Sequence, residues 1–343
     1  RDILSGTPMP QSPDDLKSQL DFLWPGSDLG FRASQATSPR KVISNLYVRT
    51  TKTDLGLPPI SRKFHHVQMG PAQTALYAVV RNEALRSLSS LRSGSGIDVP
   101  KARRSVMRLL QLSANPVVAL RGMTDDVSTI QSGLIQQVIE EGPSQKMLYA
   151  RDMIRELAHS GRKVVLWTIF TDTIKQMEVL LAEFGAVSIY GETPSGVATN
   201  PETREGKLFA FHNDPGCMVL IANPAAAGEG ISLHQVCHEA IYLDRSYNAT
   251  HYLQSIDRIH RLGLAMDIET NVHILQTLAP KSLGCIDHSV SRRLAVKLRA
   301  LERLLDDSDI HRIALDEEEA NEPVDYDINP EDLADIIEEL EGK

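Results

Sequence analysis

Two arginines three residues apart, Arg258 and Arg261, follow Gln254 in the stretch HYLQSIDRIHRLG (251–263), with Asp257 and His260 among them. On a helix, at about 100° per residue, Gln254, Arg258 and Arg261 share a narrow arc, while Tyr252, Ile256 and Ile259 cluster opposite and can be buried. Asn248 or Thr250 can cap the start of such a helix and Gly263 its end. A guanidinium is planar, permanently charged and matched to phosphate oxygens, so this stripe suits charge stabilisation on a transferring phosphoryl group. The same stripe also suits a solvated face on which Asp257 and Arg261 form an ordinary i,i+4 pair.

The neighbouring sequence adds a ligand-approach loop but no phosphate grip. After the apolar run CMVLIA comes NPAAAGEGISL, whose Gly228 and Gly230 flank Glu229 and permit close backbone approach to a ligand. GETPSGVA, which contains Gly191 and Thr193, has the glycine spacing of a phosphate loop without the Lys-Ser/Thr that reaches phosphate and magnesium. RIALDEEE imitates a metal-binding acid after an apolar strand but lies inside an acidic tail, and no metal site is expected. One arrangement reconciles phosphate-suited arginines with the missing phosphate loop. Another domain holds the nucleotide, and this chain supplies arginines across a cleft.

The elements that must position these residues read as βα repeats. Between 143 and 304 the runs KVVLWT, AVSIY, CMVLIA, AIYLD and NVHILQ alternate with helical patterns, which implies a parallel sheet flanked by helices. Loops at the carboxyl ends of such strands form the ligand face. Residues 60–142 carry the helical patterns GPAQTALYAVVRNEALRSLSSLR and KARRSVMRLLQLSANP, and are expected to form a helical insertion. Residues 1–59 read as the end of a preceding lobe and an extended connector, with one short helix near Asp14–Leu23.

Of 343 residues, 42% are hydrophobic and 24% charged, the composition of a globular protein large enough for one or two cores. No apolar run is long enough to span a membrane. Cys217, Cys237 and Cys285 lack CxxC spacing, which argues against a zinc site and fits a reducing, cytoplasmic setting. Residues 305–343 hold sixteen Asp/Glu against Arg312 and Lys343, a net charge of -14; the whole chain carries -9, so residues 1–304 carry +5. The tail is expected to be solvated, or less often to fold back on a basic surface. The chain opens RDILSGTP without methionine, and an upstream portion is expected.

The order of motifs resembles the C-terminal part of a Swi/Snf-type ATPase of the superfamily-two helicases and translocases. LSGTPMPQSPDDLKSQLDFLWPG is similar to the segment closing that family's first RecA-like lobe, and LYVRTTKTDLGLPP with QTALY and LLQLSANP to its following blocks. SQKMLYARDMIREL, GRKVVLWTIFTDTIKQMEVLL and AAAGEGISLHQVCHEAIYLDRSYNATHYLQSIDRIHRLG are similar to the second lobe. The resemblance implies a RecA-like lobe closing on ATP with Mg2+ held mainly by the absent N-terminal lobe, and duplex DNA as the track. It implies Arg261 as the arginine finger, Arg258 and Gln254 as its companions, and Gly228, Glu229, Gly230 and Asp257 on the nucleotide side. It assigns Thr168, Arg204, Gly191 and Thr193 to the nucleic-acid side, and Gly6, Thr7 and Pro8 to interlobe coupling. The loop reads NPAAAG where the family has Ser/Thr, and Leu264 stands where glutamine is common.

The basic segment PKARRSVMRLL (Lys101, Arg103, Arg104, Arg108) suits either phosphate contacts or a solvated face. The expectation is therefore the C-terminal motor lobe of a DNA-stimulated ATPase, possible partner subunits being those of a defence or repair complex. A strand-separating helicase lobe and a non-catalytic scaffold derived from a motor lobe are the alternatives.

Overall fold

A computed structural model of the chain describes residues 1–6, 8, 15–92, 99–121, 123, 132–227, 230–280 and 283–320. Thr7, Gly228, Glu229 and the last part of the acidic tail, 321–343, lie outside them. Six strands, β1 (Ile60–Gln68), β2 (Lys163–Trp167), β3 (Val187–Ile189), β4 (Val219–Ala222), β5 (Cys237–Tyr242) and β6 (Thr270–Leu278), form one sheet in the order β1-β6-β5-β2-β4-β3. Every pairing is parallel.

Three short helices precede the sheet: α1 (Asp15–Leu23), α2 (Leu29–Gln35) and α3 (Pro39–Ile43). Between β1 and β2 lie α4 (Pro71–Arg92), α5 (Val99–Ala114), α6 (Pro116–Arg121), α7 (Ser132–Glu141) and α8 (Gln145–His159). The crossovers are α9 (Thr171–Leu180), α10 (Arg204–Asn213), the short α11 (Pro224–Ala227) and α12 (Ala249–Ile256), and α13 (Ile286–Leu305) with α14 (Ser308–Glu319) completes the described chain. Among the described residues no helix is long and apolar enough to cross a membrane.

The sheet is buried on both faces, which explains its unbroken apolar strands. Side chains alternate along a strand, so β2 sends Val164 and Leu166 to one core and Val165 and Trp167 to the other. The first core is closed by Met147, Ala150 and Ile154 of α8 with Ile174 and Met177 of α9. The second takes in Leu76 and Tyr77 of α4, Leu109 and Leu112 of α5, and Leu294, Leu298 and Leu301 of α13.

Two expectations are corrected here. Residues 60–68, read as the start of a helical insertion, are strand β1, paired with β6 over nine positions from Ile60–Thr270 to Gln68–Leu278. ISRKFHHVQ is too polar for a buried strand, but β1 stands at the sheet edge, where one side needs no cover. The helices α4–α8 are thus looped out between two strands of a single sheet.

The second correction concerns the acidic tail, whose start is folded. Helix α14 packs on α13, begins at an Asp307 cap that accepts from the backbone N–H of Asp309 and Ile310, and buries Ile310, Ile313 and Ala314. Its acids meet fixed cations: Asp316 pairs with Arg62 of β1 at 2.6 Å, Glu318 with Arg299 of α13 at 2.7 Å, and Glu317 with Arg245 at 2.5 Å. RIALDEEE is accordingly a helix that clasps the sheet edge rather than a strand ending in a metal-binding acid.

Candidate functional site

The crossovers that leave β2 and β5 run in opposite directions, so the carboxyl ends of these two neighbouring strands mark the sheet's switch point. Asp244 sits there, 2% exposed. It accepts from the Thr168 hydroxyl at 2.6 Å and from the Ile169 backbone N–H at 2.7 Å, and Asn223 after β4 donates to the Ile169 carbonyl at 2.9 Å. Burial pushes the Asp244 carboxyl up to about 6, against the lowering effect of the Thr168 and Ile169 bonds. Thr168 is itself fully buried, so its side chain is an internal brace and not a nucleic-acid contact. In the sequence Asp244 is marked only as an acid closing the apolar run AIYLD.

The loop after β5 enters α12, where the Asn248 side chain caps the helix by accepting from the His251 N–H at 3.1 Å. Tyr252, Leu253, Ile256 and Ile259 are buried, as the helical arc requires. The helix does not run to Gly263 as expected; it stops at Ile256. The N–H groups of Arg258 and Ile259 bond back only three residues, and the Arg258 carbonyl accepts from the Leu233 N–H at 2.9 Å instead of a helical partner. Arg258 is thereby tied to the loop after β4. Its Nε donates to the Gln254 carbonyl at 3.1 Å and its Nη1 to the Ile231 carbonyl at 3.0 Å.

Arg261 stands apart from this packing. Its side chain is exposed and makes no hydrogen bond or ion pair with any described residue. The i,i+4 pair with Asp257 does not form, because Asp257 is held by Lys52 at 2.5 Å. His234, whose Nδ1 meets the Ser232 hydroxyl at 2.9 Å, lies close enough that the Arg261 charge adds to burial in lowering its pKa. Gly230 is exposed in a left-handed conformation (φ 73°), which only glycine adopts without strain, and opens the segment that Arg258 holds.

A second group of candidates gathers elsewhere on the same edge. Gly191 is exposed in the turn after β3, and Thr193 closes that turn by accepting from the Tyr190 N–H at 3.0 Å. Arg204 opens α10 behind the Thr203 cap, and its guanidinium donates to the Ala226 carbonyl at 3.3 Å. That bond links the β3 turn to α11, which leads into the small-residue loop. Of the basic segment, Arg104 is exposed on α5.

At the connector, the Gly6 carbonyl accepts from Arg49 at 3.1 Å and the Pro8 carbonyl from Gln19 at 2.6 Å. Arg49 also pairs with the α14 cap Asp307, and Thr53 donates its hydroxyl to Asp309 at 2.9 Å. A cavity of about 290 Å³ lies between connector, turn and α14, lined by Leu57, Pro58, Leu253, Ile256, Asp257 and Ile310 among others. The structure therefore brings Gln254, Asp257, Arg258, Arg261 and Gly230 together, groups Gly191, Thr193 and Arg204, and leaves Gly6 and Pro8 at the connector.

Residues 145–263 match the helicase conserved C-terminal domain. The chain is 22% identical over 278 residues to Protein CHROMATIN REMODELING 4 of Arabidopsis thaliana, covering 77% of this chain and 12% of that protein. It is 24% identical over 279 residues to an uncharacterized ATP-dependent helicase of Mycoplasma pneumoniae, covering 76% of this chain and 24% of that protein. The chain thus spans a quarter or less of the length of these relatives. In fold it resembles the Sulfolobus solfataricus SWI2/SNF2 ATPase core in complex with dsDNA, with a TM-score of 0.51 at 21% identity over 92% of this chain and 64% of that one. The parallel sheet and these likenesses lead to one conclusion: residues 145–263 form a helicase conserved C-terminal domain, within a chain whose RecA-like fold is that of Swi2/Snf2-type C-terminal lobes.

Proposed function

We propose that this lobe contributes the arginine finger and the DNA-backbone contacts of a DNA-stimulated ATPase and duplex translocase, whose ATP is gripped by a separate N-terminal lobe. The observation that carries the reading is the contrast between the two arginines. Arg258 is fixed against the Gln254 and Ile231 carbonyls, while Arg261 projects from the same turn with its guanidinium uncommitted. A fixed base bearing an open cation is what a charge donor to a developing phosphoryl transition state requires. Such a finger contributes about 10³–10⁵ in rate.

In this reading Arg261 reaches the γ-phosphoryl oxygens, and Arg258 and Gln254 hold the turn. Gly230, with Gly228 and Glu229, passes nucleotide state to the loop beside Arg204, Gly191 and Thr193, which track the DNA backbone. Among the described residues no group of three or more His, Cys, Asp or Glu side chains could hold a metal ion. In this reading the magnesium that accompanies ATP is held mainly by the other lobe. The lobe alone hydrolyses ATP negligibly. Gly6, Thr7 and Pro8 transmit between lobes, and the working site is cytoplasmic, on nucleoid DNA in a prokaryote, or nuclear in a eukaryote.

The test is Arg261→Ala in the full-length protein. DNA-stimulated turnover should fall by about 10²-fold or more while ATP binding persists. Wild-type turnover would remove the finger assignment, and strand separation in an unwinding assay would favour a true helicase over a translocase.

A further inference from the structure

Arg261 lies four residues beyond Asp257, and that interval is bolted to the connector as well as, through Arg258, to the loop after β4. The Lys52 ammonium meets the Asp257 carboxylate at 2.5 Å and, on its other side, the Nδ1 of His260 at 3.4 Å. His260 is 4% exposed, and its Nε2 donates to the Pro58 carbonyl at 2.7 Å. With Nε2 donating and Nδ1 facing an ammonium, His260 is neutral in a single tautomer; burial and the Lys52 charge keep its pKa below the usual value. Lys52 and Pro58 belong to one connector segment, which runs from α3 to β1 and is itself fastened to α14 through Arg49–Asp307 and Thr53–Asp309.

A cavity interrupts the apolar packing between connector and turn. The 290 Å³ cavity lies between them, with Leu57 and Pro58 on the connector side and Leu253, Ile256, Asp257 and His260 on the helix side. Among the described residues the polar link therefore runs Lys52–Asp257 and Lys52–His260–Pro58, bracketing Arg258 and ending one residue before Arg261. A displacement of the connector by a few tenths of an ångström would move the turn through these bonds, whereas the cavity could absorb displacement of the apolar side chains.

We propose that Lys52 is a positioning residue for the finger: through Asp257 and His260 it makes the aim of Arg261 depend on the position of the connector that leads from the preceding lobe. This rests on the reading of Arg261 given above. The Lys52 side chain touches no substrate; it acts through the turn. Misplacing a reacting group by about 1 Å costs on the order of 10²-fold in rate, so loss of the bridge should be felt in turnover more than in binding.

The experiment uses the full-length protein with saturating duplex DNA. Lys52→Met should lower kcat for ATP by about 10-fold to 100-fold while KM stays within about twofold, and Lys52→Arg should restore most of it. Asp257→Asn should lower kcat similarly, and the double variant should be no worse than either single one, because the two side chains act as a unit. Arg261→Ala is measured alongside. If it abolishes turnover while Lys52→Met is like wild type, the positioning role is wrong and the finger stands. If Arg261→Ala is also like wild type, the reading of the finger is wrong. If Lys52→Met, and with it the isosteric Asp257→Asn, lowers the folded fraction in proportion to kcat, the bridge is only structural and the proposal is overturned.

Discussion

Glu317 offers the sharpest test of how the start of the acidic tail serves this lobe. Its side chain is fully buried, and its partner Arg245 is 7% exposed at the end of β5, next to Asp244. Arg245 also donates to the Ser291 hydroxyl at 2.6 Å, with its guanidinium carbon 5.1 Å from the Tyr252 ring centroid and 5.8 Å from that of Phe64. Glu317→Ala would leave a buried cation with one hydroxyl and two ring faces. Removing one partner of a buried pair costs about 3–5 kcal/mol, because the other charge stays desolvated. The two aromatic faces retain part of the stabilisation, which puts the expectation near the lower end, about 3 kcal/mol. With a urea m-value of roughly 3 kcal/mol/M, the unfolding midpoint should fall by about 1 M. Glu318→Ala, which breaks a surface pair with Arg299, should cost under about 1 kcal/mol. The paired replacement Arg245→Met with Glu317→Leu should recover most of the loss. A Glu317→Ala midpoint within 0.2 M of wild type would show that α14 does not clasp the sheet as argued.

Other expectations follow from the same geometry. The Asp244 carboxyl titrates near 6 in the fold against 3.8 unperturbed, so its contribution to stability is full below 3.8 and is lost as pH rises through 6. Holding the carboxyl at about 6 rather than 3.8 costs on the order of 3 kcal/mol once it is ionised, so Asp244→Asn should gain on wild type by up to that amount between pH 4 and pH 8; a difference in urea midpoint that does not change with pH would refute it. A Cβ on Gly206 of α10 would sit 1.8 Å from the Asn200 carbonyl, so Gly206→Ala should cost about 1–3 kcal/mol by thermal or urea unfolding. On α7, a Cβ on Gly133 would meet nothing within 4 Å, and Gly133→Ala should stabilise by about 0.4–1 kcal/mol. Asn248→Ala, which removes the α12 cap beneath the arginine turn, should cost about 1 kcal/mol of stability in the same measurement.

Much of the fold was legible in residue order. Runs such as VVLW and MVLIA are apolar on both faces, and only a parallel sheet covered by helices buries them, so five of the six strands were visible. Strand β1 was not, because its polar sequence gains strand character only from the open edge of β6. The candidate arginines were readable from type and spacing, and Asn248 from its capping position. Their surroundings were not. The end of α12 at Ile256 comes from the Leu233 N–H taking the Arg258 carbonyl, a bond between residues 25 apart.

By itself, the amino-acid order determined which segments alternate between strand and helix, which residues could meet phosphate, and where the chain's negative charge accumulates. These are local matters of periodicity and residue chemistry. Only the tertiary structure decided that Asp257 answers to Lys52 rather than Arg261, that Thr168 turns inward to Asp244, and that Glu317 is buried against Arg245. Each of those partners is tens to hundreds of residues away. A charge or hydroxyl chooses its partner by distance and desolvation in the folded state, and neither quantity exists until the sheet and its helices have assembled.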